Sequence, residues 1–213
     1  MEDLLQFLLS AEGSKYIIYG IIALALLSTS LMVLSGWYRY TKANAPWARL
    51  AHRTGLTLIP GHLIFPQRYP VVEGTYKGYP LKLTWWSRYR EGGNSDFTVI
   101  TIPVNQGDNF HFSPTNIFSK LGQIVGWHEV KIGDDSFDRK IDIRCSPEDL
   151  ASQLLDDQEI RHRILKLSRW YELKLERQTL TLRFNGVVRD NDRLIQAFDL
   201  TSDLARRLDQ LPS

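Results

Sequence analysis

The residues of this chain best suited to chemistry are an acidic cluster and five histidines. The cluster contains Asp134, Asp135 and Asp138. In a calcium-binding loop that starts at Asp134, the sixth position must be Gly and the twelfth Glu, but Arg139 and Cys145 stand there. We therefore interpret the cluster as a solvated turn that aspartates cap.

The histidines do not form a recognisable metal site, since no two of them lie three or four residues apart; they are His52, His62, His111, His128 and His162. The sequence also lacks a P-loop, a G-x-G-x-x-G loop, a G-x-S-x-G elbow, H-E-x-x-H and C-x-x-C. We expect no cofactor and no catalytic residue. A membrane-tethered enzyme or small-molecule sensor remains the alternative, with a site that only the fold would assemble from His128, Asp134, Asp138 and Arg139.

Composition narrows the class of protein. The chain has 213 residues, of which 43% are hydrophobic, with 26 Lys and Arg against 24 Asp and Glu and a single Cys. These values exclude a disordered tail, a polytopic membrane protein and a disulfide scaffold. The pI of about 8.6 comes without a basic stripe or a known motif, so we expect no nucleic-acid partner.

One segment differs from this average. Residues 16–38 are 23 consecutive residues without a charge, and most of residues 16–34 are apolar. A helix of about 20 residues spans the hydrocarbon core of a bilayer. The segment therefore predicts a single transmembrane helix at 16–38 that follows a leader at 1–15. The leader is too acidic, and the apolar run too long, for a typical signal peptide.

Charges beside this segment predict its orientation. Lys15 precedes it, whereas Arg39, Lys42, Arg49 and Arg53 follow it, and basic residues are retained on the cytoplasmic side. We expect the amino terminus outside and the carboxy-terminal domain in the cytoplasm. These four cations, with Trp37 and Tyr38, are candidate contacts with the membrane surface; the alternative is that the cations only fix the topology.

Two further groups are candidate contacts with partner proteins. Ala25 and Thr29 lie on one face of the predicted membrane helix, where small residues allow close approach, although hydroxyls in helices also bond to their own backbone. Trp85 and Trp86 are neighbours on a predicted strand, so their side chains leave opposite faces. One of them fills the core, and the other faces solvent, lipid, a partner or a covering helix. Arg88 and Tyr89, which follow in the sequence, are also candidate contacts with partner proteins.

The remaining pattern predicts an α+β fold, with antiparallel strands in a meander and a carboxy-terminal hairpin covered by helices. A basic juxtamembrane linker with a short helix, at 39–54, leads to a soluble domain at 55–213. An alternative organisation of that domain is two ββ-containing halves, 55–133 and 134–213. We expect strands at 56–59, 71–76, 79–86, 97–104 and 141–145, and a hairpin at 171–184. We expect helices at 47–54, from an N-cap at Ser146 to 155, at 158–168 and at 190–211.

Taken together, the sequence predicts a non-catalytic single-pass membrane protein. Its cytoplasmic domain would act as an accessory subunit, assembly factor or scaffold of a membrane protein complex. The expected partners are the lipid bilayer and other integral membrane proteins. The helix would concentrate the domain at the membrane and so raise its effective concentration for those partners.

Overall fold

A computed structural model describes residues 11–61, 69–90, 93–106, 108–115, 128–167 and 170–211. Within these ranges, side chains are not described at 11–14, 17, 35, 36, 38–43, 89, 90, 93, 94, 128 and 129.

The described chain forms helices and strands in a mixed order. The helices are α1 (Ala11–Thr54), α2 (Asp135–Asp138), α3 (Asp149–Leu154), α4 (Gln158–Lys166) and α5 (Asn191–Gln210). The strands are β1 (Thr57–Ile59), β2 (Val71–Tyr76), β3 (Tyr79–Arg90), β4 (Gly93–Pro103), β5 (Asn109–Pro114), β6 (His128–Glu129), β7 (Ile141–Ser146), β8 (Trp170–Glu176) and β9 (Thr179–Asn185). The α+β prediction is confirmed.

The described strands join one sheet in the order β1-β2-β3-β4-β9-β8-β5-β7-β6. Every neighbouring pair of these strands is antiparallel. Strands β1 to β4 form the predicted meander, and β8 pairs with β9 as the predicted hairpin. Strand β5 lies between β8 and β7, so the two sequence halves at 55–133 and 134–213 share one sheet.

The two faces of this sheet differ because side chains alternate along each strand. The inner face carries Leu83, Ile100 and Leu182, which are aligned across neighbouring strands and fully buried. Helix α5 packs its apolar stripe into the same core; the predicted stripe residues Leu194, Phe198, Thr201, Ala205 and Leu208 are all buried. We call the opposite face, which carries Thr84, Trp86, Val99, Glu172 and Arg183, the outer face.

Three local predictions were wrong. The linker at 41–46 and the separate helix at 47–54 are parts of the continuous helix α1, which includes Pro46. Ser146 does not cap a helix, because it pairs with Asn109 at the end of β7, and α3 begins with Glu148 at its N-cap. Strand β3 continues to Arg90 and β4 begins at Gly93, whereas the strands predicted here end at 86 and begin at 97.

The segment at 16–38 was predicted to cross a membrane. Among the stretches of chain that the structure describes, no helix combines the length and the apolar composition needed to cross a membrane.

Candidate functional site

The amino-terminal part of α1 carries a long run of exposed apolar side chains. The large apolar residues described from position 16 to position 34 keep between 50% and 69% of their surface accessible; they are Tyr16, Ile18, Tyr19, Ile21, Ile22, Leu24, Leu26, Leu27, Leu31, Met32, Val33 and Leu34. We call this run the apolar belt. Because successive residues of a helix point about 100° apart, the belt surrounds the helix. Exposed apolar patches of this extent mark protein or membrane contacts.

Three hydroxyl groups interrupt the belt, and each is satisfied within the helix. Ser28 Oγ donates to the carbonyl of Ala25 at 2.8 Å, Thr29 Oγ1 to the same carbonyl at 2.7 Å, and Ser30 Oγ to the carbonyl of Leu26 at 2.8 Å. This pattern suits an apolar surrounding, where an unpaired hydroxyl is costly. Ala25 and Thr29 are exposed on one face, so their predicted contact with a partner stays a prediction.

The other end of α1 is built into the domain. Trp47, Leu50 and Ala51 are buried in the main core. Trp47 Nε1 donates to the carbonyl of Val188 at 2.9 Å, and helix α1 ends before Gly55, whose φ of +70° favours glycine. One helix therefore carries both the apolar belt and a section of the core.

The predicted membrane-surface contacts lie along and beyond the middle of α1. Trp37 is 57% exposed, and Arg49 is exposed. Arg53 is exposed and forms an ion pair of 2.8 Å with Asp192 at the start of α5. The side chains of Tyr38, Arg39 and Lys42 lie outside the described residues.

The adjacent tryptophans take the two environments that the strand pattern predicts. Trp85 is 4% exposed, belongs to the core, and lies with its ring centroid 4.6 Å from that of Tyr69. It is therefore closed to a partner. Trp86 is half-buried on the outer face, where it stacks on Phe97 with 5.0 Å between ring centroids. The next outward residue on β3, Arg88, is exposed; the side chain of Tyr89 lies outside the described residues.

The outer face also holds a buried charged cluster that the sequence did not predict. Arg183 Nη1 lies 3.0 Å from Glu172 Oε1, and His111 Nε2 lies 3.4 Å from Glu172 Oε2. Arg183 also places its guanidinium carbon 5.1 Å from the centre of the Trp86 ring, within the range of a cation–π contact. The alternation of β8 and β9 indicated that Glu172 and Arg183 point outward, but no strand was predicted around His111. Only the strand order brings the three together.

The electrostatics of the cluster favour a charged carboxylate. Burial alone acts to raise the pKa of Glu172, but the hydrogen bond with His111 and the charges of Arg183 and Lys174 outweigh it and lower the pKa below its usual range. The Glu172 side chain is therefore negatively charged near neutral pH, where it binds Arg183 and His111. Because Arg183 also contacts Trp86 on β3, the cluster links four strands of the sheet, β3, β5, β8 and β9. We therefore interpret the cluster as stabilising the sheet.

The acidic cluster forms the capped turn that the sequence predicts. The Asp134 carboxylate accepts from the amides of Ser136 and Phe137, and it pairs with Arg161 at 3.2 Å. The Asp138 carboxylate accepts from the amides of Ile132 and Gly133 at 3.2 and 3.1 Å.

The alternative catalytic grouping gains no support from these contacts. Arg139 Nε donates to the Asp135 carbonyl at 2.8 Å, and the side chain of His128 lies outside the described residues. Within the described parts of the chain, no three His, Cys, Asp or Glu residues are grouped so that they could hold a metal ion.

Two adjacent cavities lie along the seam between α4 and α5, with volumes of about 450 and 480 Å³. They share Glu159, Arg163 and Asp203 as lining residues. Arg163 and Asp203 form an ion pair of 2.8 Å, and Arg207 pairs with Asp157. These ion pairs neutralise charges that line the two cavities. We therefore interpret the cavities as gaps between packed helices.

Comparisons with known proteins bear on the fold. No family model matches the chain, and no curated protein matches its sequence. Among solved structures, the chain is similar to the crystal structure of the mycobacterial trehalose monomycolate transport factor A, TtfA. The TM-score is 0.51 with 13% sequence identity, over 78% of this chain and 95% of that chain. At this identity the likeness shows a shared fold alone.

Proposed function

We propose that this protein is a non-catalytic, single-pass membrane protein whose domain serves a membrane protein complex as an accessory subunit, assembly factor or scaffold. The observation that carries the proposal is the apolar belt, because its large apolar side chains keep 50% to 69% of their surface exposed, whereas most described ones of the domain are buried. In water such a belt is unfavourable by about 25 cal/mol for each Å² of apolar surface. A bilayer removes this cost around the whole circumference of the helix.

The sequence of the whole segment, rather than its described part alone, supports insertion. The described side chains from Ile18 to Leu34 form a run of 17 residues, and the sequence around them extends the uncharged stretch to the 23 residues from 16 to 38. About 20 residues of helix match a hydrocarbon core of about 30 Å. The internally bonded hydroxyls of Ser28, Thr29 and Ser30 add no unpaired polar group.

The flanking charges support a cytoplasmic domain. Arg39 and Lys42 follow the uncharged stretch directly, with Arg49 further on, whereas Lys15 is the one cation that precedes it. The positive-inside rule then places the amino terminus outside. Cys145 fits a reducing compartment, since it is buried with its thiol unbridged.

An accessory role suits the chemistry of the domain. Among its described acidic residues, Asp134 caps α2, and the cavities at α4 and α5 contain the ion pairs of Arg163 with Asp203 and of Arg207 with Asp157. A similar fold occurs in TtfA, which is named as a transport factor, and at 13% identity this likeness concerns the fold alone. We propose integral membrane proteins as partners, with Ala25 and Thr29 on the helix and Trp86 and Arg88 on the domain as contacts.

Fractionation of cells that produce the full chain tests insertion. We expect the protein to stay in the membrane pellet after alkaline carbonate washing. The double variant Leu24→Arg with Leu27→Arg should move it to the soluble fraction, because each buried arginine costs about 2.5 to 3.5 kcal/mol at the membrane centre. As a matched control, arginines at the exposed Ser152 and Gln210 should leave the pellet unchanged. Release of the unaltered protein by carbonate contradicts membrane insertion.

A cysteine label tests the orientation. Ser152 is exposed on α3, whereas the native Cys145 is fully buried. In the variant Ser152→Cys, a membrane-impermeant maleimide should label the protein only after the cells are permeabilised. The parent protein gives the background from Cys145. Labelling of intact cells places the domain outside and contradicts the proposal.

Gentle detergent extraction tests the partner. We expect an integral membrane protein to copurify with the tagged chain. If the helix face forms the contact, the double variant Ala25→Ile with Thr29→Ile should weaken recovery of the partner. If the domain forms the contact, Trp86→Ala should weaken it. The control Ser152→Ala lies away from both faces. A monodisperse monomer without companions contradicts the accessory role.

A further inference from the structure

The continuity of α1 bears on the distance between the domain and the bilayer. No helix break separates the apolar belt from the buried turns at Trp47, Leu50 and Ala51. Between the belt and Pro46, residues 35–45 contain one glycine, Gly36, and no proline, and the backbone is helical at every one of them; Pro46 is already buried within the domain. We call residues 35–43 the connector.

The connector has a defined length. Leu34 ends the apolar belt, and among the residues whose side chains are described, Asn44 is the first buried one of the domain section. Ten steps of about 1.5 Å place Asn44 about 15 Å beyond Leu34 along the helix axis. By the same rise, Arg49 lies about 22 Å and Arg53 about 28 Å beyond Leu34.

The attachment at the far end of the connector is firm. Trp47 is bonded to the backbone of Val188, and Arg53 is paired with Asp192, so α1 is held to the chain on both sides of the start of α5. The domain therefore follows the direction of the helix. A helix held in this way cannot lay the domain against the lipid without bending in the connector.

We propose, on the basis of the membrane insertion proposed above, that α1 is a rigid stalk that holds the domain about 15 Å from the hydrocarbon core. The surface that the domain recognises is then the cytoplasmic part of an integral membrane protein that projects at least this far. Lipid headgroups are not its target. Electrostatic attraction decays over about 8 Å at physiological ionic strength, so Arg49 and Arg53 contribute little to membrane binding. The sequence predicted contact with the membrane surface for all four cations. The stalk retains this prediction for Arg39 and Lys42 and not for Arg49 and Arg53.

The experiment measures how close successive positions of α1 come to the lipid. Single fluorescent labels are attached at Ser28→Cys, Thr41→Cys, Ala48→Cys and His52→Cys of the full chain, in vesicles of phosphatidylcholine and phosphatidylglycerol. Nitroxide lipids quench from the acyl chain or from the headgroup. The buried Cys145 of the parent provides the background. We expect acyl-chain quenching at 28, headgroup quenching at 41, and loss of quenching at 48 and 52.

Two insertions after Tyr40 test rigidity against distance. Seven Gly and Ser residues should free the domain, so that the exposed Arg49 and Arg53 reach the anionic headgroups and the label at 52 is quenched. Seven residues of a strong helix former, chosen as the matched control, should keep this label unquenched. Both insertions leave the domain itself unaltered.

The outcomes separate the two proposals. Headgroup quenching at 48 and 52 equal to that at 41 in the parent overturns the stalk while membrane insertion stands. A label at 52 that stays unquenched with the flexible insertion also overturns it, since rigidity then has no effect. Absence of quenching at 28 overturns membrane insertion, and the stalk with it.

Discussion

Trp47 on α1 donates a hydrogen bond of 2.9 Å to the carbonyl of Val188, a residue 141 positions further along the chain. Both residues are buried. The bond joins the carboxy-terminal part of α1 to the segment that leads into α5. The amino-terminal part of the same helix is the part that we propose enters the membrane. The stability of the domain is therefore coupled to the attachment of the stalk.

Replacement of Trp47 separates packing from hydrogen bonding. Trp47→Phe leaves the Val188 carbonyl buried without its donor and should cost about 1 to 3 kcal/mol of unfolding free energy. Trp47→Ala also leaves a cavity and should cost about 3 to 5 kcal/mol. Urea unfolding of the full chain in detergent, followed by circular dichroism, measures both. A Phe variant as stable as the parent would show that the bond contributes nothing.

Removal of the cation from the outer face should destabilise the sheet strongly. Arg183→Met leaves Glu172, whose side chain is 10% exposed, without its closest ion-pair partner, and should cost about 3 to 5 kcal/mol. The control Arg183→Lys keeps the charge but loses the planar guanidinium that lies over Trp86, so its loss of stability should be smaller than that of Arg183→Met. Equal losses for the two variants would contradict a role for the charge.

The same carboxylate predicts a pH dependence. The pKa of Glu172 is lowered in the folded protein, so its contribution is fully present above the ordinary pKa of 4.5 and is lost as the pH falls through the lower folded value. Acid unfolding should therefore steepen below about pH 4.5. Glu172→Gln should reduce this slope relative to the parent. An identical slope in the two proteins, measured by urea unfolding at each pH, would argue against the predicted linkage.

Two neighbouring residues of α5 should respond in opposite directions. Ser202 is fully buried and its hydroxyl has no hydrogen-bond partner among the described residues, whereas Thr201 Oγ1 donates to the carbonyl of Ala197 at 2.8 Å. Ser202→Ala should raise the unfolding free energy by about 1 kcal/mol, because it removes an unsatisfied polar group. Thr201→Val keeps the shape of the side chain and should lower stability. Thermal unfolding compares them; a destabilised Ser202→Ala protein would indicate that the hydroxyl is bonded.

Local pattern predicted the elements whose causes are local. The alternation in residues 171–184 predicted the hairpin, and the helical spacing of Leu194, Phe198 and Leu208 predicted α5. Both predictions lie within one residue of the observed bounds. Asp134 was correctly interpreted as a cap, since capping depends on amides two and three residues away. These interactions are contained within a few residues of sequence.

Other features depend on contacts that sequence spacing does not encode. Strand β5 was missed because its residues gain their place only between β7 and β8. Ser146 resembles an N-cap, but strand pairing with Asn109 takes precedence. The residues at 41–46 resemble a linker with a proline, yet burial of Trp47 and Pro46 in the domain is compatible with a continuous helix.

The sequence by itself determined the uncharged apolar run, the cations that follow it, and the opposite directions of Trp85 and Trp86, because these depend on composition and on the geometry of one element. Only the tertiary structure decided that Trp85 is the buried one, and that Glu172 and Arg183 meet. It also decided that a single helix joins the apolar belt to the core. The physical reason is that register, strand order and helix docking are set by long-range packing, which becomes favourable only when the whole sheet has formed.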